Sequence, residues 1–97
     1  VVGWGGTYGH LLSAVQEVRA EGIDVSFAHF DYIMPLPKNT ADVFKKFDKI
    51  LVCELNSGQF VNYLRALMPQ FKYEQFNKVQ GQPFLVQEIT TAIKENF

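Results

Sequence analysis

One cysteine, Cys53, stands in 97 residues. A lone thiol excludes an internal disulfide and a thiolate metal cluster, and it fits a reducing cytoplasm. The two histidines, His10 and His29, have no spaced cysteine or carboxylate partners and make no metal site. No apolar run approaches the ~20 residues that span a bilayer, and no signal-peptide pattern is visible. Charge of one sign is lacking too. The formal net charge is -1, with basic residues scattered rather than striped. That removes the electrostatic case for nucleic acid or a membrane surface. There is no internal repeat, low-complexity tract or long linker. There is no initiator methionine either: the chain opens at Val1, straight into an apolar strand. A domain cut from a longer protein begins this way, so residues 1–97 are expected to be one such α/β domain.

What is present is a packed globule's composition, 47% hydrophobic and 14% aromatic. Val1 to Trp4 reads as a strand and Gly5 to Gly9 as a glycine-rich turn. From about Gly9 to Glu21, Leu11, Ala14, Val15 and Val18 share one helical face. Gly22 sits where a left-handed residue ends a helix, and Ile23 can fold back on the last turn. Asp24 to Phe30 alternates Val25, Phe27 and His29 against Ser26, Ala28 and Phe30. Both faces are largely apolar, as in a strand covered on both sides. Pro35 and Pro37 make a loop of Asp31 to Lys38. A short helix from Thr40 to Phe47 has Asn39 as its expected cap and Val43, Phe44 and Phe47 as its buried stripe. Lys49 to Glu54 is a third strand. Phe60, Leu64 and Leu67, widened by Val61 and Met68, mark a helix that Pro69 stops. Phe71 to Val79 is a polar fourth strand suited to a sheet edge. After the turn Gln80-Gly81-Gln82, Pro83 is expected to open a helix with Leu85, Ile89, Ala92 and Ile93 inward.

The order βαβαβαβα with right-handed crossovers predicts a three-layer α/β/α sandwich on a mostly parallel four-stranded sheet, strand order 2-1-3-4. Winding reverses between strands 1 and 3, so a crevice is expected beyond their carboxyl ends. Two loops meet there: Gly5 to Gly9, and Asn56 to Gln59.

Gly3, Gly5 and Gly9 are spaced G-x-G-x-x-x-G, which misses the dinucleotide fingerprint; a tight turn with close helix–strand packing is the expectation, with Thr7 as a cap. His29 reads as a buried, hydrogen-bonded core residue, and Cys53 as inert core. Ser57 lacks the G-x-S-x-G setting of a hydrolase. Glu54, ending a strand beside these turns, can hold backbone N–H groups or a partner's arginine. Asn56 or Ser57 can cap the helix that follows. Trp4 is either core or an interface anchor, and Tyr8 is an anchor candidate.

Four segments recur together in order and spacing: Val2-Gly3-Trp4-Gly5-Gly6-Thr7-Tyr8-Gly9, Pro35-Leu36-Pro37-Lys38-Asn39, Glu54-Leu55-Asn56-Ser57-Gly58-Gln59 and Gly81-Gln82-Pro83-Phe84. In these the chain resembles the C-terminal domain of the alpha subunit of 2-oxoacid:ferredoxin oxidoreductases, nearest the 2-oxoglutarate (2-oxoglutarate synthase) branch. Gly6 stands where that family often has Ser. The resemblance implies a transketolase C-terminal-like fold at the C-terminus of a longer subunit. It implies a cytoplasmic enzyme that decarboxylates a 2-oxo acid on thiamine diphosphate, passes electrons through iron–sulfur clusters to ferredoxin and forms an acyl-CoA. Thiamine diphosphate, magnesium and the clusters would be held by other domains and a beta subunit. The chain itself would be a structural and subunit-contact domain with no catalytic, cofactor or metal residues. Tyr8, Glu54, Asn56, Ser57 and Gln59 are then its candidate partner contacts. Two other readings use the same fold: a stand-alone nucleotide or small-ligand module, and the C-terminal domain of a transketolase or 2-oxoacid dehydrogenase.

Overall fold

A computed structural model describes residues 1–31, 33, 36–55, 57–78 and 83–97. Four strands, β1 (Val2–Trp4), β2 (Ala28–Phe30), β3 (Ile50–Glu54) and β4 (Tyr73–Asn77), alternate with four helices, α1 (Tyr8–Ala20), α2 (Thr40–Phe44), α3 (Gln59–Leu67) and α4 (Val86–Asn96). The sheet order is β2-β1-β3-β4, as expected, and every pairing is parallel.

Two apolar layers flank the sheet. Leu11, Ala14, Val15 and Val18 of α1 and Ile89, Ala92 and Ile93 of α4 pack on Val1, Leu51 and Cys53. Phe60, Val61 and Leu64 of α3 and Phe44 of α2 pack on Val2, Phe30, Ile50 and Val52 on the other face. The alternation along β3 therefore sends Ile50, Val52 and Glu54 toward α3, and Leu51 and Cys53 toward α1 and α4. The same rule puts Glu54 at the foot of α3.

Helix ends follow local chemistry. Gly22 adopts φ 91, and the Gly22 and Ile23 N–H groups donate to Arg19 and Val18 carbonyls at 3.0 and 3.2 Å. That is the left-handed C-terminal motif expected there. Arg65 of α3 donates to Gln75 Oε1 of β4 at 2.9 Å, tying the helix to the polar edge strand.

Several expectations are corrected. β2 is a ladder only over Ala28–Phe30, although Val25 and Phe27 keep the alternation into the core. Asn39 makes no side-chain cap on α2; the Thr40 hydroxyl donates instead to the Pro37 carbonyl at 2.7 Å. α2 stops at Phe44, so Phe47 leaves the stripe and is exposed. Leu67 is exposed while its neighbour Met68 turns inward where α3 ends. Pro83 does not open α4, which begins at Val86, and Leu85, just outside it, points to solvent while Thr90 is buried. There the Glu88 carboxylate accepts the Leu85 N–H at 2.8 Å, half of a capping box, since Leu85 offers no side-chain acceptor. Asn56, Pro35, Val79 and the Gln80-Gly81-Gln82 turn lie outside the described residues.

Candidate functional site

The carboxyl ends of β1 and β3 lie side by side at the point where winding reverses. Ligands and partners of open α/β sheets gather at such points.

From β1 the chain passes into a single 3-10 turn, Gly5–Thr7, which runs directly into α1. Gly5 takes φ 66 to make the bend. Thr7 is no cap for α1: its hydroxyl donates back to the Trp4 carbonyl at 3.1 Å. Gly3 is packed from above, since a Cβ there would collide with Leu11 Cδ1 and lie 2.9 Å from Thr7 Oγ1. The close helix–strand packing expected of the segment holds at Gly3; a Cβ at Gly5, Gly6 or Gly9 would meet nothing within 4 Å. Its helix presents Tyr8 at 45% exposure, with the ring edge-on to Phe27 and His29 at 5.8 and 5.1 Å.

From β3 the chain makes a second turn, and here Glu54 governs. It is fully buried. Its Oε1 accepts the Phe60 N–H at 2.7 Å and its Oε2 accepts the Val61 N–H at 2.9 Å. Those are two of the free donors in the first turn of α3, where negative charge also suits the helix dipole. Ser57 makes no cap; the residue at the helix start is Gly58 with φ 100. The carboxylate thus does capping work of the kind expected of Ser57, and it faces its own helix rather than solvent. Ser57 and Gln59 are exposed on the rim.

Trp4 joins the two loops. It is half-buried in the α3-side layer, its ring edge-on to Phe60 at 6.1 Å. Core packing, one of its two expected roles, is what the structure shows. Leu55, immediately after the buried acid, is 40% exposed. It was not among the sequence candidates; the signal would have been an apolar residue in an otherwise polar turn.

Cys53 is buried in the α1-side layer, and burial pushes its thiol up to about 12, so it is no nucleophile. His29 departs from expectation. Its Nδ1 is buried without a hydrogen-bond partner, and Nε2 lies 3.7 Å from the exposed Asp31 carboxylate. Among the described residues no group of three histidine, cysteine or acidic side chains could hold a metal ion. No described helix is long and apolar enough to cross a membrane.

These features define an open, doubly wound α/β domain whose exposed rim at the switch point carries apolar and polar side chains together. Known proteins share its sequence or fold. The chain is 35% identical over 98 residues to the 2-oxoglutarate oxidoreductase subunit KorA of Mycobacterium tuberculosis, covering 97% of this chain and 14% of that one. It is 24% identical over 97 residues to the alpha subunit of 2-oxoacid:ferredoxin oxidoreductase 1 of Aeropyrum pernix, 15% of whose length it spans. A solved structure, 2-oxoglutarate:ferredoxin oxidoreductase from Magnetococcus marinus with 2-oxoglutarate, coenzyme A and succinyl-CoA bound, superposes with a TM-score of 0.87 at 30% identity. The match covers 97% of this chain and 17% of that one. No family model matches the sequence. The chain belongs with the 2-oxoacid:ferredoxin oxidoreductase alpha subunits, as one domain's worth of their length.

Proposed function

We propose that this chain is the C-terminal, subunit-contact domain of the alpha subunit of a 2-oxoacid:ferredoxin oxidoreductase. The whole enzyme would convert a 2-oxo acid, 2-oxoglutarate foremost, and CoA to acyl-CoA and CO2 while reducing ferredoxin. The observation that carries this reading is the near-complete match of the chain to the Magnetococcus enzyme, which holds 2-oxoglutarate, CoA and succinyl-CoA.

The crevice residues do not fit the enzyme's cofactors. A diphosphate–magnesium site needs free oxygen ligands, and both Glu54 oxygens are committed to α3. A cluster needs thiolates, and Cys53 is held protonated by burial. Thiamine diphosphate, magnesium and iron–sulfur clusters belong, on this reading, to other domains and the beta subunit.

What the rim does suit is docking. Tyr8 and Leu55 offer apolar surface on either side of the crevice, with Ser57 and Gln59 as polar neighbours. Interfaces combine apolar anchors with a polar surround in this manner. Asn56, on the same turn, is a candidate from the sequence. Glu54 serves the interface indirectly, by fixing the turn that presents these side chains.

The test uses the full-length alpha subunit produced with its beta subunit. Tyr8→Ala combined with Leu55→Ser is expected to weaken assembly on size-exclusion chromatography at least ~10-fold and to lower acyl-CoA formation in parallel. Asn56→Ala with Gln59→Ala should act in the same direction. Unchanged assembly and turnover in both double variants would sink the contact role.

A further inference from the structure

β4 ends the sheet order, and among the described residues no strand lies along its outer edge. Which groups that edge presents follows from the pairing with β3. The Ile50 N–H donates to the Lys72 carbonyl and the Lys78 N–H to the Glu54 carbonyl, each at 2.9 Å. A residue's N–H and C=O leave a strand on the same edge, and the edge alternates along the chain. Lys72, Glu74, Phe76 and Lys78 therefore turn these groups to β3, and Tyr73, Gln75 and Asn77 turn theirs outward. The cover there is light: Arg65, held by Gln75 Oε1 at 2.9 Å, reaches the Tyr73 carbonyl only at 3.5 Å.

Between that edge and α4 lies an open groove of about 750 Å³, lined by Phe76, Leu85, Glu88, Thr91, Ala92 and Glu95 among others. Lys78 meets Glu88 at 2.7 Å where β4 ends and α4 begins, and Lys49 Nζ donates to the Asn96 carbonyl at 2.7 Å where β3 begins and α4 ends. α4 thus runs opposite to β4. That sets the exposed Leu85 toward Phe76 at one end of the groove and Glu95 toward Glu74 at the other. Glu74 shares the α4 face of the strand with Phe76 by alternation. Among the described residues neither Glu74 nor Glu95 is ion-paired, so this face sets three carboxylates against one ammonium, Lys78.

We propose that the β4 edge and this groove receive an extended segment of another polypeptide, added to the sheet as a strand. On its groove face that segment carries an apolar and a basic residue two positions apart. The apolar side chain fills the Phe76–Leu85 end, and the basic one meets Glu74 and Glu95. The residues between them lie over Gln75 and Arg65 and are polar. Backbone bonds to Gln75 and Asn77 hold the strand, and the alternate side chains select it. The surface shares no residue with the crevice rim, so it stands whatever that rim binds.

Charge complementarity decides the kind of partner. Charged side chains on an edge strand discourage indiscriminate pairing. Here they also discriminate: an acidic strand is repelled by Glu74 and Glu95, and a wholly apolar one strips water from them without a counter-charge. A basic residue at that end turns the same two carboxylates into partners.

The test uses the full-length subunit that contains this chain, alone and with its beta subunit. The probe is a capped fluorescent peptide, Thr-Val-Thr-Arg-Thr-Val-Thr, which reads alike in both strand directions. It is expected to bind at least ~10-fold more tightly than the same peptide with glutamate in place of arginine, a preference that falls with added salt. Hydrogen exchange should slow at the Gln75 and Asn77 amides when it binds. Glu74→Gln with Glu95→Gln should erase the preference and leave the fold intact. Gln75→Pro should block binding, and an edge strand tolerates proline where the N–H points outward. Equal binding of the two peptides, or no change at the two amides, would overturn the proposal. So would protection of those amides before any peptide is added, which assigns the edge to the enzyme's own chain or to a second copy.

Discussion

Glu54 and Phe60 are bound across the turn that separates strand from helix: the carboxylate closing β3 accepts the Phe60 N–H at 2.7 Å and, with its other oxygen, the Val61 N–H at 2.9 Å. A strand residue thereby does a capping residue's work, and the turn between them is stitched from beneath. Glu54→Ala leaves two buried N–H groups unpaired and is expected to cost about 2–4 kcal/mol. Glu54→Gln keeps one acceptor but turns an NH2 toward an N–H, and is expected to cost about 1–3 kcal/mol. Urea unfolding of the three proteins checks the order. Equal stability of Glu54→Ala and the parent would contradict the capping role.

The glycine segment separates positions of different kinds. Gly3→Ala drives a methyl into Leu11 and Thr7, where backbone and helix are both fixed, and should cost about 1–3 kcal/mol or more. Gly6→Ala meets nothing within 4 Å and its φ is not positive. That substitution should stay within about 0.5 kcal/mol. Thermal melts of the two variants measure the contrast. Similar losses at both positions would mean that turn geometry, rather than helix–strand packing, makes the glycines necessary.

Lys78 and Glu88 give the fold an acid-sensitive joint between β4 and α4. Their side chains meet at 2.7 Å, and Lys78 also donates to the Pro83 carbonyl at 3.1 Å. The Lys78 hydrogen bond, then the Leu85 N–H, hold the Glu88 carboxyl below its usual range. A carboxyl lowered in the folded state leaves the unfolded state holding more protons as pH falls. Its contribution is complete above the ordinary glutamate value of ~4.3 and is lost as pH drops through the folded value. The parent should therefore lose more stability than Lys78→Met or Glu88→Gln between pH 5 and pH 3, as an order-of-magnitude window. Denaturant titrations across that window read it directly. Parallel pH curves for parent and variants would remove the joint.

The strand order and the two apolar layers were legible in the sequence, because period and alternation are set by burial. Leu11, Ala14, Val15 and Val18 are buried as their spacing requires. What misled were residues at or beyond the ends of helices. Phe47, Leu67 and Leu85 carry the apolar signature of a core face, yet each lies where its helix ends or has not begun. A spacing rule cannot see that a helix has stopped. The site was legible in position and not in division of labour. Ser57, Thr7 and Asn39 all look like caps by residue type, but none of them makes a side-chain cap; Glu54 holds the first turn of α3, and the Thr40 hydroxyl bonds the Pro37 carbonyl at the start of α2. A cap six and seven residues distant, reaching up from inside the sheet, has no local sequence signature. Nor does the orphaned His29 Nδ1, whose surroundings come from separate elements.

Cys53 offers a probe of the whole fold. It is the fourth residue of β3, buried in the α1–α4 layer, with its thiol pushed up to about 12 by burial. Only the thiolate reacts with disulfide reagents, so at pH 8 the folded protein should be inert. Reaction then requires exposure, and its rate should follow the population of opened molecules. Adding urea should raise the rate along the same slope that global unfolding follows. Glu54→Ala, by lowering global stability, should raise it about 30-fold or more, the kinetic equivalent of 2 kcal/mol. A thiol that reacts quickly in the native protein, without dependence on urea, would show that the β1–β3 core opens locally rather than as one unit.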